Sequence, residues 1–234
     1  LVPDSAFRHS ASGVAALAVE GTLAVRLAEQ VRMSGGHYPT GSEIRSWERS
    51  LPILVNDLLE AGLGDVEVLL EYRLPLTSKR ADAVLAGVDP RTGDDAYVII
   101  ELKQWSHVER FEDDDQLVLV DGVRGGPRVH PGLQVKGYCD YTADFLGVLD
   151  GHERGIRGAA YLHNAHHRDV DDLFALRQDE RSRVFTGSRR GEFIDYLRHQ
   201  LAPTSGAAAA DRLLASAVLP SRQLLAVAAD EIKD

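Results

Sequence analysis

The chain has 234 residues, 44% apolar and 26% charged, the composition of an ordinary globular domain. Its formal net charge of −10 argues against binding nucleic acid by surface charge alone. A single cysteine, Cys139, excludes a disulfide framework and a four-thiolate iron–sulfur cluster, and points to a reducing cytoplasm.

The first element expected is a helix over residues 13–32, with Val14, Leu17, Leu23, Leu27 and Val31 at helical spacing. Its Ala-rich start, Gly13–Leu27, is interrupted by Glu20 and Arg26 and lacks the basic flank and cleavage site of a signal peptide. Ser34-Gly35-Gly36 breaks the chain. Thr40-Gly41-Ser42-Glu43 then offers an N-cap for a helix running to about Ala61, with Ile44, Trp47, Leu51, Val55, Leu58 and Leu59 on its apolar face. From Val66 the period becomes two: Val66–Tyr72, Lys79–Gly87 and Ala96–Lys103 read as strands, the last apolar enough to be central. Asp89–Asp94 is a turn by composition. A polar, Gly-rich stretch around Leu117–Val120 follows to Pro131. Leu133–Leu149 reads as a helix, Gly158–His163 as a buried strand, and Glu192–Gln200 and Ala207–Ala217 as helices. No apolar run approaches the roughly 20 residues that cross a bilayer, so no membrane partner is expected. The chain starts at Leu1 and ends in a polar, helix-like tail, Ala226–Asp234, which suggests a processed chain or a piece of a longer protein. The expected architecture is one α/β domain over residues 1–234, with its core at about 40–200 and helical additions at 1–35 and 205–234.

The chemistry concentrates in Lys79–Gly87 and Tyr97–Lys103. Alternation along a strand puts Tyr97, Ile99, Glu101 and Lys103 on one face and Val98, Ile100 and Leu102 on the other. If the preceding strand pairs with this one, Asp82 approaches Glu101. Two carboxylates and the backbone carbonyl of Leu102 make a hard oxygen site suited to Mg²⁺ or Mn²⁺. Lys103 beside it could orient a water or offset charge on a phosphate. A bare Glu-x-Lys is most often a surface ion pair. The preceding Asp strand and the apolar run Tyr97–Ile100 weigh against that reading, since charges ending a buried strand are costly unless paired or metal-bound. Farther on, Gln134 and Tyr138 share a helix face.

The order Asp82…Glu101-Leu102-Lys103 followed by Gln134-Val135-Lys136-Gly137-Tyr138 resembles the PD-(D/E)XK nuclease superfamily, and its Gln-x-x-x-Tyr signature is similar to that of RecB-like nucleases. Glu71-Tyr72-Arg73-Leu74-Pro75, Arg80-Ala81-Asp82, Ile100–Trp105 and Tyr161-Leu162-His163-Asn164 further resemble the nuclease-like domain that precedes Schlafen-type DNA/RNA helicase motors. The resemblance spans roughly residues 40–200. It implies a restriction-endonuclease-like fold, a mixed central sheet flanked by helices. It implies Asp82 and Glu101 as metal ligands, Lys103 as the catalytic lysine, and Gln134 and Tyr138 as groups that position the substrate strand or the metal site. A glutamate from an early helix often joins such sites. Glu43 and Glu48 are the candidates, and Glu43 is favoured because Glu-x-x-Ser-Trp-x-x-Ser-Leu resembles the family pattern. The implied substrate is nucleic acid, DNA before RNA, and the implied partner a helicase motor in the same or another chain. The sequence contains no Gly-x-x-x-x-Gly-Lys-Ser/Thr phosphate loop.

Weaker signals are His163, His166 and His167 with Asp169, Asp171 and Asp172, whose spacing matches no standard zinc motif. Trp105 and His107 could stack on a base, and Arg124 and Arg128 could touch phosphate; ordinary packing and surface roles are the competing readings. Cys139 is expected to be a small buried residue. The rival to a nuclease is an inactive nuclease-like module that binds nucleic acid or a partner protein.

Overall fold

Val98, Ile99 and Ile100 have no solvent exposure, and a run apolar on both faces belongs in the middle of a covered sheet. The computed structural model, which describes residues 6–35, 38–112 and 114–221, puts it there. Nine strands and six α-helices occur among these residues, in the order β1 (Phe7–Ser10), α1 (Ala11–Val19), α2 (Leu23–Gly35), α3 (Gly41–Glu60), β2 (Glu67–Arg73), β3 (Arg80–Val88), β4 (Asp95–Lys103), β5 (Val108–Arg110), β6 (Leu117–Val120), β7 (Arg128–Val129), α4 (Pro131–Phe145), β8 (Ile156–Leu162), β9 (Arg183–Thr186), α5 (Arg190–Gln200) and α6 (Ala207–Leu214). The main sheet has six strands in the order β1-β2-β3-β4-β8-β9. Strands β1 to β4 pair antiparallel, whereas β8 and β9 run parallel to β4 and to each other. The expected α/β fold, a mixed central sheet flanked by helices, is therefore present.

Alternation on β4 divides the core. Val98 and Ile100 pack with α1, α2, α3 and α5 on one face, and Tyr97 and Ile99 with α4 and α6 on the other. Each fully buried aliphatic side chain stabilises by about 1.5–3 kcal/mol, so this division fixes which face every later β4 residue presents.

Four expectations change. The helix expected over 13–32 is two helices, bent by 115°. Gly21, at φ +70°, makes the turn, and the Glu20 and Gly21 N–H groups close it on Ala16 and Ala18. The stretch before Pro131 forms a small antiparallel sheet, β5-β6-β7. The terminal pieces are also not merely helical additions: Phe7–Ser10 is an edge strand paired to β2, and α6 packs on β3. Helix α4 starts earlier than expected, with Pro131 in its first turn and the His130 ring accepting from the Gly132 N–H. Cys139 is fully buried, as expected. The tail Ala226–Asp234 lies outside the described residues. Among those described, no single helix is long and apolar enough to cross a membrane.

Candidate active site

Glu101 ends the buried run of β4 and is only 4% exposed. By alternation it faces α4, where Gln134 and Tyr138 sit one turn apart. Gln134 Nε2 donates to Glu101 Oε1 at 2.7 Å and contacts the Tyr138 hydroxyl at 2.9 Å. Lys103 Nζ donates to the same Oε1 at 2.7 Å. The other oxygen, Oε2, is buried without a hydrogen-bond partner among the described residues. Leaving such an acceptor unsatisfied costs about 1–3 kcal/mol or more.

Asp82 reaches the same place from β3. The β3–β4 register ends at Ala83 opposite Ile100, which sets Asp82 beside Glu101. There the Asp82 side chain takes over from the backbone, and Oδ2 accepts the Leu102 N–H at 2.7 Å. Burial, then the charges of Glu101 and Glu71, push the Asp82 carboxyl well above the usual carboxylate range, against the pull of Lys103 and the Leu102 N–H. The strand ends thus gather more carboxyl groups than one lysine can balance once they ionise, beside an orphaned carboxylate oxygen. A hard dication fits this arrangement. Among the described residues no three His, Cys, Asp or Glu side chains gather as a metal-holding group. The protein donors for such an ion are therefore Asp82, Glu101 and the Leu102 carbonyl, with water completing the shell, as is usual for Mg²⁺.

The structure adds residues that motif reading alone did not single out. Leu69 and Tyr72 pack in the same cluster although three positions apart, so alternation slips between them. The slip falls at Glu71, whose φ of +50° is left-handed for a non-glycine residue. Such a backbone costs about 1–3 kcal/mol and persists only where its surroundings enforce it. Here Trp47 Nε1 on α3 donates to Glu71 Oε1 at 2.7 Å. Burial, assisted by Glu43 and Glu101, pushes the Glu71 carboxyl up to about 7, against the Trp47 hydrogen bond and the charge of Arg80.

A second polar chain ties α3 to the ends of β4 and β8. Gln104 Nε2 donates to Ser50 Oγ at 3.0 Å and to Ser46 Oγ at 3.1 Å. Ser50 Oγ lies 2.9 Å from His163 Nε2, and His163 Nδ1 lies 3.1 Å from Asn164 Oδ1. Asn164 Oδ1 can only accept, so the neutral ring carries its proton on Nδ1, and Nε2 accepts from the Ser50 hydroxyl, which in turn accepts from Gln104. Burial lowers the His163 pKa, which favours this neutral tautomer. Trp47, Ser50, Glu71, Gln104 and His163 all lie in the segments that carry the family resemblance. Their pairing was invisible because it depends on how α3 crosses the sheet end.

Glu43 is exposed and completes a capping box with Thr40: its Oε2 accepts the Thr40 N–H at 2.7 Å, and Thr40 Oγ1 accepts the Glu43 N–H at 3.3 Å. Its charge reaches Glu71. Glu48 is exposed. The side chains through which α3 reaches the sheet end are instead Ser46, Trp47 and Ser50. The His/Asp stretch does not assemble: His163 belongs to the Ser50 chain, and Asp172 accepts the Arg110 N–H at 2.8 Å. Arg128 folds onto the Arg124 carbonyl on an exposed loop. His107 is exposed beside Glu109, whereas Trp105 is partly buried with Lys103 Nζ 5.1 Å from its ring centroid.

Fold and site together define an α/β domain with a carboxylate–lysine centre at the end of a buried central strand. No protein-family model, curated protein or solved structure matches the chain.

Proposed function

We propose that this chain is a metal-dependent nuclease domain of the PD-(D/E)XK type, RecB-like in its Gln-x-x-x-Tyr helix. It hydrolyses phosphodiester bonds, DNA before RNA, in the cytoplasm and in the service of a helicase motor in the same or a partner chain. The observation that carries the reading is the meeting of Asp82, Glu101, Lys103 and Gln134 from three separate elements, around a buried carboxylate oxygen without a partner.

Asp82, Glu101 and the Leu102 carbonyl would hold Mg²⁺ or Mn²⁺, which lowers the pKa of a bound water and offsets charge on the phosphate. Gln134, braced by Tyr138, fixes the rotamer of Glu101. The Lys103 ammonium, shared between Glu101 and the face of Trp105, stands where it can donate to a phosphate oxygen or orient the attacking water. Water gives up a proton to solvent as it adds to phosphorus and the bond to the leaving oxygen breaks, and the leaving oxygen is protonated from solvent.

The test is cleavage of single- and double-stranded DNA and RNA with Mg²⁺ and with Mn²⁺. Asp82→Ala, Glu101→Ala and Lys103→Ala each abolish cutting while the far-ultraviolet circular dichroism stays native. Equal cutting by all three variants and the wild type refutes the reading. A wild-type chain that binds nucleic acid and cuts nothing under any metal assigns it to the inactive binding module instead.

A further inference from the structure

Beside the centre, between α3 and the end of β4, runs an open groove of about 400 Å³. Arg45, Ser46 and Arg49 form its α3 wall, and Lys103, Gln104 and Trp105 form the other. Arg45 and Arg49 are exposed, lie one helical turn apart, and carry no ion pair or hydrogen bond among the described residues. Some guanidinium groups, such as those of Arg8, Arg181, Arg190 and Arg212, are matched to carboxylates, and others, such as those of Arg26 and Arg177, are not among the described residues; what sets Arg45 and Arg49 apart is that the two lie together on a groove wall. Two unneutralised cations one turn apart on one wall make the groove locally basic on a chain of net charge −10. Glu43 and Glu48, on the same helix, do not line it. The opposite wall is held in place, because Gln104 is bound to Ser46 and Ser50.

We propose that this groove is a subsite for single-stranded nucleic acid, with Arg45 and Arg49 on neighbouring phosphates and an unpaired base on Trp105. Side chains four apart on a helix have Cβ atoms about 5–6 Å apart, which suits adjacent groups along one backbone. A volume of about 400 Å³ is at the small end of ligand sites and accommodates about one nucleotide with its flanking phosphates, not a duplex, whose major groove alone is about 12 Å wide. A partly exposed indole between cationic groups is the usual platform for a base without sequence preference. Lys103 joins groove to centre, since its Nζ is 2.7 Å from Glu101 Oε1 and 5.1 Å from the Trp105 ring centroid. A strand lying on Arg49 and Trp105 is therefore led to Asp82 and Glu101. This direction rests on the nuclease reading, whereas the binding itself is measured without metal.

The experiment is fluorescence anisotropy of the full chain with labelled oligothymidine, oligouridine and a DNA duplex, each about 12 nucleotides long and within the usual site sizes, in EDTA across a salt series. Wild type binds the single strands more tightly than the duplex. Arg45→Glu/Arg49→Glu weakens single-strand binding at least about tenfold and flattens the slope of log K against log salt by about 1.4, at about 0.7 per phosphate contact on a single strand. Trp105→Leu, which keeps an apolar side chain against the core, weakens it roughly 5- to 160-fold, the range for one stacked base. Preference between oligothymidine and oligouridine assigns the strand as DNA or RNA. Unchanged affinity in the folded Arg variant, or a wild-type preference for duplex, overturns the proposal. Arg-dependent binding without metal-dependent cutting keeps the groove and refutes the nuclease; cutting that ignores the Arg variant does the reverse.

Discussion

Replacing Glu71 by glutamine should make the metal-free protein more stable at pH 8. Glu71 is held by burial and neighbouring carboxylates at about 7 rather than its ordinary 4.5. In the folded state it therefore keeps its proton over a range in which the unfolded chain has lost it. Its contribution is fully present below about pH 4.5 and is lost as pH rises through about 7. At 1.36 kcal/mol per pH unit the difference amounts to about 3 kcal/mol by pH 8. Glutamine removes the charge and keeps an oxygen for the Trp47 Nε1–H. The expected gain at pH 8 is about 2–3 kcal/mol, or about 4–12 °C in Tm for a chain of this size, shrinking toward zero at pH 4.5. Asp82, displaced in the same direction, gives the wild type additional slope that the variant partly relieves, because Glu71 is one of its causes. Thermal melts of both proteins in EDTA from pH 4.5 to 8 measure the difference directly. A variant no more stable than wild type at pH 8, or a gap that does not widen with pH, refutes the argument.

Other consequences follow from individual contacts. Arg190→Ala strips the charge partner from Asp57, a residue of α3 that is 1% exposed and bonded to Arg190 Nε; urea denaturation should show a loss of about 3–5 kcal/mol, because a buried charge is left uncompensated. Gly158→Ala should destabilise by about 1–3 kcal/mol or more in the same assay, since a Cβ there would lie 2.3 Å from the Arg181 carbonyl oxygen and 2.8 Å from Cys139 Sγ. Gln134→Ala frees Glu101 from one donor and should lower kcat of Mg²⁺-dependent cleavage about tenfold or more with little change in Tm, as expected of a group that orients a metal ligand; a Tm loss with unchanged kcat would mark Gln134 as structural only.

The central strand and its charges were legible because the physics there is local. Val98 to Ile100 cannot sit anywhere but mid-sheet, and period two then fixes the side on which Glu101 and Lys103 emerge. The Gln134–Tyr138 pair was legible for the same reason at period 3.6. What escaped is what depends on distant partners. Phe7–Ser10 carries no strand pattern of its own and is a strand only because β2 offers an edge. The bend between α1 and α2 hangs on Gly21, one residue in an otherwise helical run. Glu71 looks like an ordinary outward strand residue until its left-handed φ and the Trp47 indole are seen together. Glu43 was favoured on motif resemblance, and its capping-box role was already implied by Thr40 three residues earlier.

Calorimetric titration of Mn²⁺ into wild type, Asp82→Asn and Glu101→Gln tests most directly whether the strand-end carboxylates form a dication site. One ion per wild-type chain is expected, with proton release near pH 7 because the carboxyls of Glu71 and Asp82 are displaced upward, and both variants should lose the heat. No binding by the wild type, or equal binding by all three proteins, would contradict it.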